Sequence, residues 1–348
     1  MKVSRWIALA GVAALVAVVA SSAALGGSSS SKAHLGSFKA YLVGDTGGFN
    51  DNGFNKNQVK GLNQAAKKVG ATATILSSHS GSDYAPNYNT AIRGGANIVF
   101  GAGYLLGPTV ATYAAKFPKI DFAITDYTVH QPPFSTKAGK VLPQFKNVVG
   151  ITYAAQEAGC LVGVLSAKMA QKMGGNAIGA VGGIKIPSVD SYIAGYKFCA
   201  NKAVPGTKTI VQYSNDFAAE DKCQTVAQNE IGQGAKVIFQ VAGGCGLGAL
   251  KAADAAKLWG VGVDSDEYGV AKRILTSATK KTDVGVYDTL IAAQSGKFKG
   301  GTDEVFNLKN GGVGVGRISP AVPAAWVALM NSYKSKIIKG TLKVPASL

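Results

Sequence analysis

Three aspartates stand just behind short apolar runs: Asp45 after 38–43, Asp126 after 121–125 and Asp264 after 260–263. An ionised carboxylate offers only acceptor oxygens, and one carboxylate can take both donors of a vicinal diol together. A lone Asp after a strand is commonly a helix cap. Three on separate strands of one candidate cleft point instead to a site for hydroxyl or amino groups. The stretch 45–55, DTGGFNDNGFN, adds amides (Asn55 among them), a hydroxyl (Thr46), a glycine turn and two aromatics, Phe49 and Phe54. Phe54, at a helix entrance, either stacks on a ligand ring or closes the core; Phe49 reads as packing.

Glycines carry the next signal. Gly243 and Gly244, in VAGGCGLG over 241–248, let backbone amides approach a ligand at a helix start. This is neither GxxxxGK[ST] nor GxGxxG after a strand, so a phosphate loop and a dinucleotide fingerprint are not supported. Lys280, beside Lys281, falls where the chain is expected to cross between domains. Catalysis has little to work with. His34, His79 and His130 show no metal or triad spacing, and a nucleophilic Cys245 lacks a nearby base. No catalytic residue, metal or cofactor is expected.

These residues need a frame that brings strand ends together. Apolar runs at 38–43, 72–76, 98–101, 121–125 and 148–152, then 177–181, 209–212, 237–241 and 260–263, read as strands. Amphipathic stretches at 55–68, 108–116, 155–172, 189–202, 223–233, 247–257 and 283–294 read as helices. Such alternation yields parallel sheets covered on both faces. Nine strands at this spacing divide into two doubly wound lobes. Ligands of open parallel sheets sit beyond the carboxyl ends of the strands, which singles out Asp45, Gly103, Asp126, Gly183, 243–246 and Asp264. The expected division is 37–148 plus 278–310 for one lobe and 149–277 plus 311–348 for the other.

Residues 1–24 read as a secretory signal: Lys2 and Arg5, an uncharged run over 6–19, then small residues. A Gly/Ser linker over 25–36 follows. No cysteine precedes Cys160, so the reading contains no lipid-attachment cysteine. Export permits disulfides. Cys160, Cys199, Cys223 and Cys245 allow three pairings; 160–199 with 223–245 is preferred because each pair lies in one supersecondary neighbourhood, although sequence alone does not choose. The chain carries 36 Lys plus Arg against 19 Asp plus Glu, a net charge of +17. The basic residues are scattered, without an Arg stripe or aromatic RNA-binding pattern, so no nucleic-acid partner is expected; attraction to an anionic cell surface is the milder reading.

Taken in order, these segments resemble the basic membrane protein (BMP) family, substrate-binding proteins of ABC transporters that include purine nucleoside receptors. The segments are DTGGFNDNGFN (45–55), FAITD (122–126), NVVGITYAAQEAGCLVG (147–163) and VGGIKIPSVDSYIAGY (181–196). IFQVAGGCGLG (238–248), GVDSDE (262–267), ILTSATKKTDV (274–284) and KIIKGTLKVP (336–345) complete the set. The resemblance implies a type I periplasmic-binding-protein fold, two lobes joined by a three-strand hinge. It implies ligand contacts from Asp45, Asp126, Asp264 and Lys280, with Phe54 and Phe217 sandwiching a base; Thr46, Asn55, Gly243 and Gly244 join the expected contacts from their place behind the strands. It further implies an extracytoplasmic, non-enzymatic monomer that captures a nucleoside, purine favoured, for an ABC permease. Membrane association would run only through that permease or an uncleaved N-terminus. Asp264 with Lys280 is placed on the ribose side, Asp45 and Asp126 nearer the base. The competing readings are a sensory receptor domain of the same fold and a nucleoside hydrolase. FNK in place of the commoner FNQ, and Cys245 where Thr is often found, are departures that bear on the ligand.

Overall fold

The computed structural model describes residues 37–348, so the expected signal (1–24) and linker (25–36) lie outside the described residues. The chain starts with β1 (Lys39–Gly44), α1 (Phe54–Val69), β2 (Thr72–Leu76) and α2 (Tyr84–Arg93). It continues through β3 (Ile98–Ala102), α3 (Gly107–Lys116), β4 (Asp121–Thr125) and β5 (Val148–Tyr153). A second series holds α4 (Ala155–Lys172), β6 (Ala177–Gly182), α5 (Pro187–Ala203), β7 (Lys208–Tyr213) and α6 (Glu220–Gly232). To it belong also β8 (Ala235–Val241), α7 (Gly246–Ala255), β9 (Trp259–Asp264) and β10 (Ile274–Lys280). The last elements are α8 (Thr282–Gln294), β11 (Thr302–Phe306), β12 (Val313–Val315) and α9 (Ala324–Ile338).

Two six-stranded sheets result, ordered β11-β5-β4-β3-β1-β2 and β12-β10-β9-β8-β6-β7. Pairing is parallel except for β12, which runs antiparallel to β10. Central strands such as β3 and β6 are buried along their whole length, as expected for sheets covered on both faces. The chain passes between lobes three times, after β5, after β10, and between β11 and β12.

Two crossings fall later than the sequence reading places them. β5, divided there at 148/149, stays in the first sheet to its end, because β11 pairs with it from Val149 to Tyr153. β10, divided at 277/278, stays in the second sheet through Lys280, held by β9 and β12. Two short edge strands, β11 and β12, and helix α2 add to the elements read from the sequence. The C-terminal helix α9 packs on α4 and so belongs to the second lobe.

The second lobe is drawn tight at the α4–α5 contact. A Cβ added at Gly159, Gly163 or Gly195 would come within 2.3 Å of a backbone carbonyl oxygen of the facing helix, so only glycine permits this approach. The Cys160–Cys199 disulfide bridges the same two helices. Cys223–Cys245 links the starts of α6 and α7. Both bonds match the preferred pairing, and the Cys245 sulfur is therefore not free.

Candidate functional site

A cleft lies between the carboxyl ends of the two sheets, with about 520 Å³ of space outside the protein atoms, part of it open solvent. The first lobe contributes Asp45, Phe54, Asn55 and Asp126 to its wall; the second contributes Phe217, Gly243, Asp264 and Lys280. Eight of the ten residues singled out from sequence thus meet around one space. Thr46 and Gly244 are not in its lining. Thr46 turns toward the Tyr84 hydroxyl instead. Gly244 packs behind the wall, against the Phe217 carbonyl and Asp51.

Local backbone explains the aim of the carboxylates. Asp126, just past β4, and Asp264, the last residue of β9, lie in the left-handed region, with φ of 63° and 60°. Asp tolerates this better than most residues, and the reversal turns each side chain away from the sheet into the cleft. Asp45 closes β1. Its Oδ1 accepts the Gly47 amide at 3.0 Å and the Asn55 side-chain amide at 3.2 Å, while Oδ2 lies beside Gly103, where a Cβ would approach to 2.7 Å. The Asn55 Oδ1 is buried with no partner among the described residues. Asp45 Oδ2 and Asn55 Oδ1 therefore remain as acceptors near the edge of the Phe54 ring.

Asp51 was not among the expected contacts, although it stands in the same loop. Its carboxylate accepts backbone amides of Gly53, Asn55 and Lys56 at 3.1, 2.7 and 3.0 Å. It thereby satisfies donors that the first turn of α1 leaves open and fixes Phe54 at the mouth of the helix. Other lining residues were not among the expected contacts: Tyr104, and Ile186, Ser188, Val189 and Tyr192 of the 181–196 segment. Ser188, Val189 and Tyr192 lie on α5, where Tyr192 reads as an ordinary core aromatic. Its hydroxyl donates to Asp264 Oδ1 at 3.1 Å.

Lys280 is the electrostatic centre. Its Nζ lies 2.8 Å from Asp126 Oδ2 and 3.4 Å from Asp264 Oδ1, and the side chain is 3% exposed. The pair with Asp126 spans the two lobes. Lys280 also sits 4.6 Å from the Phe54 ring centre, 5.5 Å from that of Tyr153 and 5.4 Å from that of Tyr192, within cation–π range. Burial opposes its charge, but the two carboxylates outweigh that and raise its pKa. A lysine held as ammonium has no lone pair and cannot act as a nucleophile. Burial pushes Asp45 up to about 6, against the lowering effect of its hydrogen bonds. Burial likewise raises Asp264, with Lys280 pulling the other way. Behind Asp264, Glu267 accepts from the Gln240 side chain at 2.6 Å and the Val263 amide at 2.9 Å.

The lobes touch around the cleft. Asn57 Nδ2 donates to Ser265 Oγ at 2.9 Å, and Gly53 abuts the Asp264 side chain. Phe217 enters from the second lobe on the β7–α6 loop, with its ring against Gly183 and its carbonyl accepting the Cys245 amide at 3.0 Å. Among the described residues no group of three or more His, Cys, Asp or Glu could hold a metal ion. The arrangement offers acceptors, one fixed cation and aromatic faces, which is equipment for holding a polar ring compound.

Comparison with known proteins agrees with that picture. The family described as "ABC transporter substrate-binding protein PnrA-like" matches residues 38–347. A Listeria monocytogenes protein named CD4+ T-cell-stimulating antigen is 32% identical over 88% of this chain and 88% of its own. The Lactococcus lactis "ABC transporter nucleoside-binding protein BmpA" is also 32% identical, over 88% of this chain and 89% of its own. A solved solute-binding protein of an ABC transporter system from Aeropyrum pernix superposes with a TM-score of 0.78 at 23% identity, covering 88% of this chain and 94% of that one. That likeness establishes the type I periplasmic-binding-protein architecture.

Proposed function

The chain belongs to the PnrA-like family of ABC transporter substrate-binding proteins, and from that premise we propose that it captures a nucleoside, purine favoured, outside the cytoplasmic membrane for delivery to a permease. The observation that carries this reading is the pairing of Phe54 and Phe217, one from each lobe, on a single carboxylate-lined space. Two aromatic walls supply apolar contact and stacking to a planar base, while a few placed polar groups orient its edges. A 32% identical relative named for nucleoside binding supports the same choice.

Asp126, Asp264 and Lys280 form one connected cluster, which suits the hydroxyls of a ribose. Asp45 and Asn55, at the other group of contacts, suit donors on the base edge. This moves Asp126 from the base side, expected from the sequence, to the ribose side, because its hydrogen bond to Lys280 ties it there. Closing of the lobes would bring both halves onto the ligand, and differential affinity for the closed form would couple binding to recognition by the permease.

Titration calorimetry of the full chain against inosine, guanosine, adenosine, uridine and free ribose tests the proposal. Heats of binding are expected with the purine nucleosides and none with ribose alone. Absence of binding to every nucleoside overturns it. Release of free base from inosine during a long incubation would replace binding by hydrolysis.

A further inference from the structure

The two flanks of the second lobe treat their lysines differently. On the α6–α7 flank, the one lysine of each helix is matched, Lys222 with Asp216 at 2.7 Å and Lys251 with Glu220, and Arg273 nearby pairs with Asp254 at 3.2 Å. The other flank is built from α4, α5, α9 and the tail that follows. Its segments 158–189, 191–215 and 305–348 contain neither Asp nor Glu. The acids at its margins are already engaged: Glu157 accepts the Leu308 amide, and Asp190 binds Lys185 and the Tyr213 hydroxyl. Among the described residues, Lys168, Lys172, Lys197, Lys202, Lys336 and Lys339 take part in no ion pair.

These lysines belong to one surface. α4 packs on both α5 and α9. The Lys172 ammonium stands 5.8 Å from the Trp326 ring of α9, and Lys202 stands 5.6 Å from Phe198. Pro345 and Leu348 of the tail border a surface hollow with Lys197 and Lys202. Apolar groups interleave with the charges: Ile338 is 39% and Leu348 50% exposed.

We propose that this α4–α5–α9 flank is a docking face for an anionic lipid bilayer. Unneutralised lysines around partly exposed aromatic and aliphatic groups are the chemistry of interfacial attachment. The occupant is a membrane rather than a soluble polyanion because the apolar groups have an acyl boundary to meet only there. A substrate-binding protein of an ABC transporter also works on a partner embedded in a membrane. Attachment by this flank keeps the protein near that partner independently of what the cleft binds.

Flotation of the full chain with phosphatidylglycerol–phosphatidylcholine vesicles, against phosphatidylcholine alone, is the test. Binding to the anionic vesicles is expected at low salt, weakening by about tenfold or more as ionic strength rises through physiological values. Replacing Lys197, Lys202, Lys336 and Lys339 by Glu should lower vesicle binding by several hundredfold, at roughly fivefold per lysine. The same change at Lys67, Lys68, Lys116 and Lys119, exposed on the first lobe, should have a much smaller effect. The milder set of four Gln replacements on the flank guards against misfolding and should fall between. Equal losses from both Glu variants overturn the proposal, as does binding to soluble polyphosphate with none to vesicles.

Discussion

The two lobes repeat one plan and fill it differently. Both sheets run in the same strand order, with β1 matching β6 and β4 matching β9. Asp126 and Asp264 occupy corresponding strand ends with nearly the same left-handed φ. Elsewhere the correspondence breaks. Where β1 leads to Asp45, β6 leads to Gly183; where β5 ends in Tyr153, β10 ends in Lys280. The first lobe therefore brings carboxylates to two matching ends, and the second brings one carboxylate and the cation that offsets it. Closing the cleft assembles a charge cluster that neither lobe holds alone.

That division makes Lys280 the most consequential single residue. Lys280→Met would leave Asp126 and Asp264 buried and facing each other without a cation. Removing one partner of a buried pair costs about 3–5 kcal/mol, and most of that would appear as a loss of the closed form. We expect a large fall in melting temperature and loss of measurable nucleoside binding. Lys280→Met with affinity and melting unchanged would show that the cluster is not what joins the lobes.

Bracing separates the lobes as well. The first is packed with aromatics, such as Tyr127 and Phe145 edge-on to Phe134 with centres 5.3 Å apart, and contains no cysteine. The second is rich in Ala, Val and Gly and carries both disulfides, closing spans of 39 and 22 residues. Removing either bond by paired Cys→Ser changes should cost about 2–4 kcal/mol of stability. Their effects on the cleft should differ. Cys223–Cys245 holds the residue whose amide binds the Phe217 carbonyl, so its loss should also weaken nucleoside affinity. Loss of Cys160–Cys199 should lower melting while affinity changes less. Calorimetry beside thermal melts distinguishes the two outcomes.

The aromatic walls differ in support too. Phe54 begins a helix of sixteen residues capped by Asp51, whereas Phe217 rides on a loop. Phe54→Ala and Phe217→Ala are each expected to weaken purine nucleoside binding by about 1–3 kcal/mol, by analogy with base–aromatic stacking. Calorimetric affinity unaltered in both variants would remove the sandwich from the proposal.

What was legible beforehand follows the same physics. Buried parallel strands are continuous apolar runs, so β1, β3, β4 and β8 stood out, and the aspartates behind them stood out with them. The edge strand β11 reads TDEVF, with Val305 55% exposed; lacking a buried face, it has no apolar run to detect. Helix α2, YAPNYNTAIR, begins with Pro86 in its first turn and is mostly polar. Tyr192 shows the limit on the site itself. Nothing in the α5 periodicity tells a core tyrosine from one whose hydroxyl reaches Asp264. Asp51 was visible as a polar loop residue, but its place in the cleft wall depends on how α1 is capped.

The smallest expected effect concerns the first lobe's unmatched carboxylate. Asp45 has no cation of its own among the described residues, and burial raises its pKa from 3.8 to about 6. Between those values the folded protein keeps a proton that the unfolded chain has released, so this group takes stability away as pH rises from about 4 to 6. The proposed ligand acts in the opposite sense. An N–H on a base edge bonds most strongly to an ionised carboxylate, and protonation below about 6 turns one oxygen into a donor and leaves the other a weaker, uncharged acceptor. Affinity should thus weaken as pH falls through 6, by about tenfold at pH 5, following the fraction left ionised. Asp45→Asn keeps the shape, lowers affinity and should flatten the dependence. Asp264, whose carboxylate faces Lys280, provides the contrast: Asp264→Asn should weaken binding while leaving the acid limb in place. An unmodified protein whose affinity is level from pH 5 to 7 would take Asp45 off the base edge, and with it the asymmetry between the lobes that the cleft's selectivity rests on.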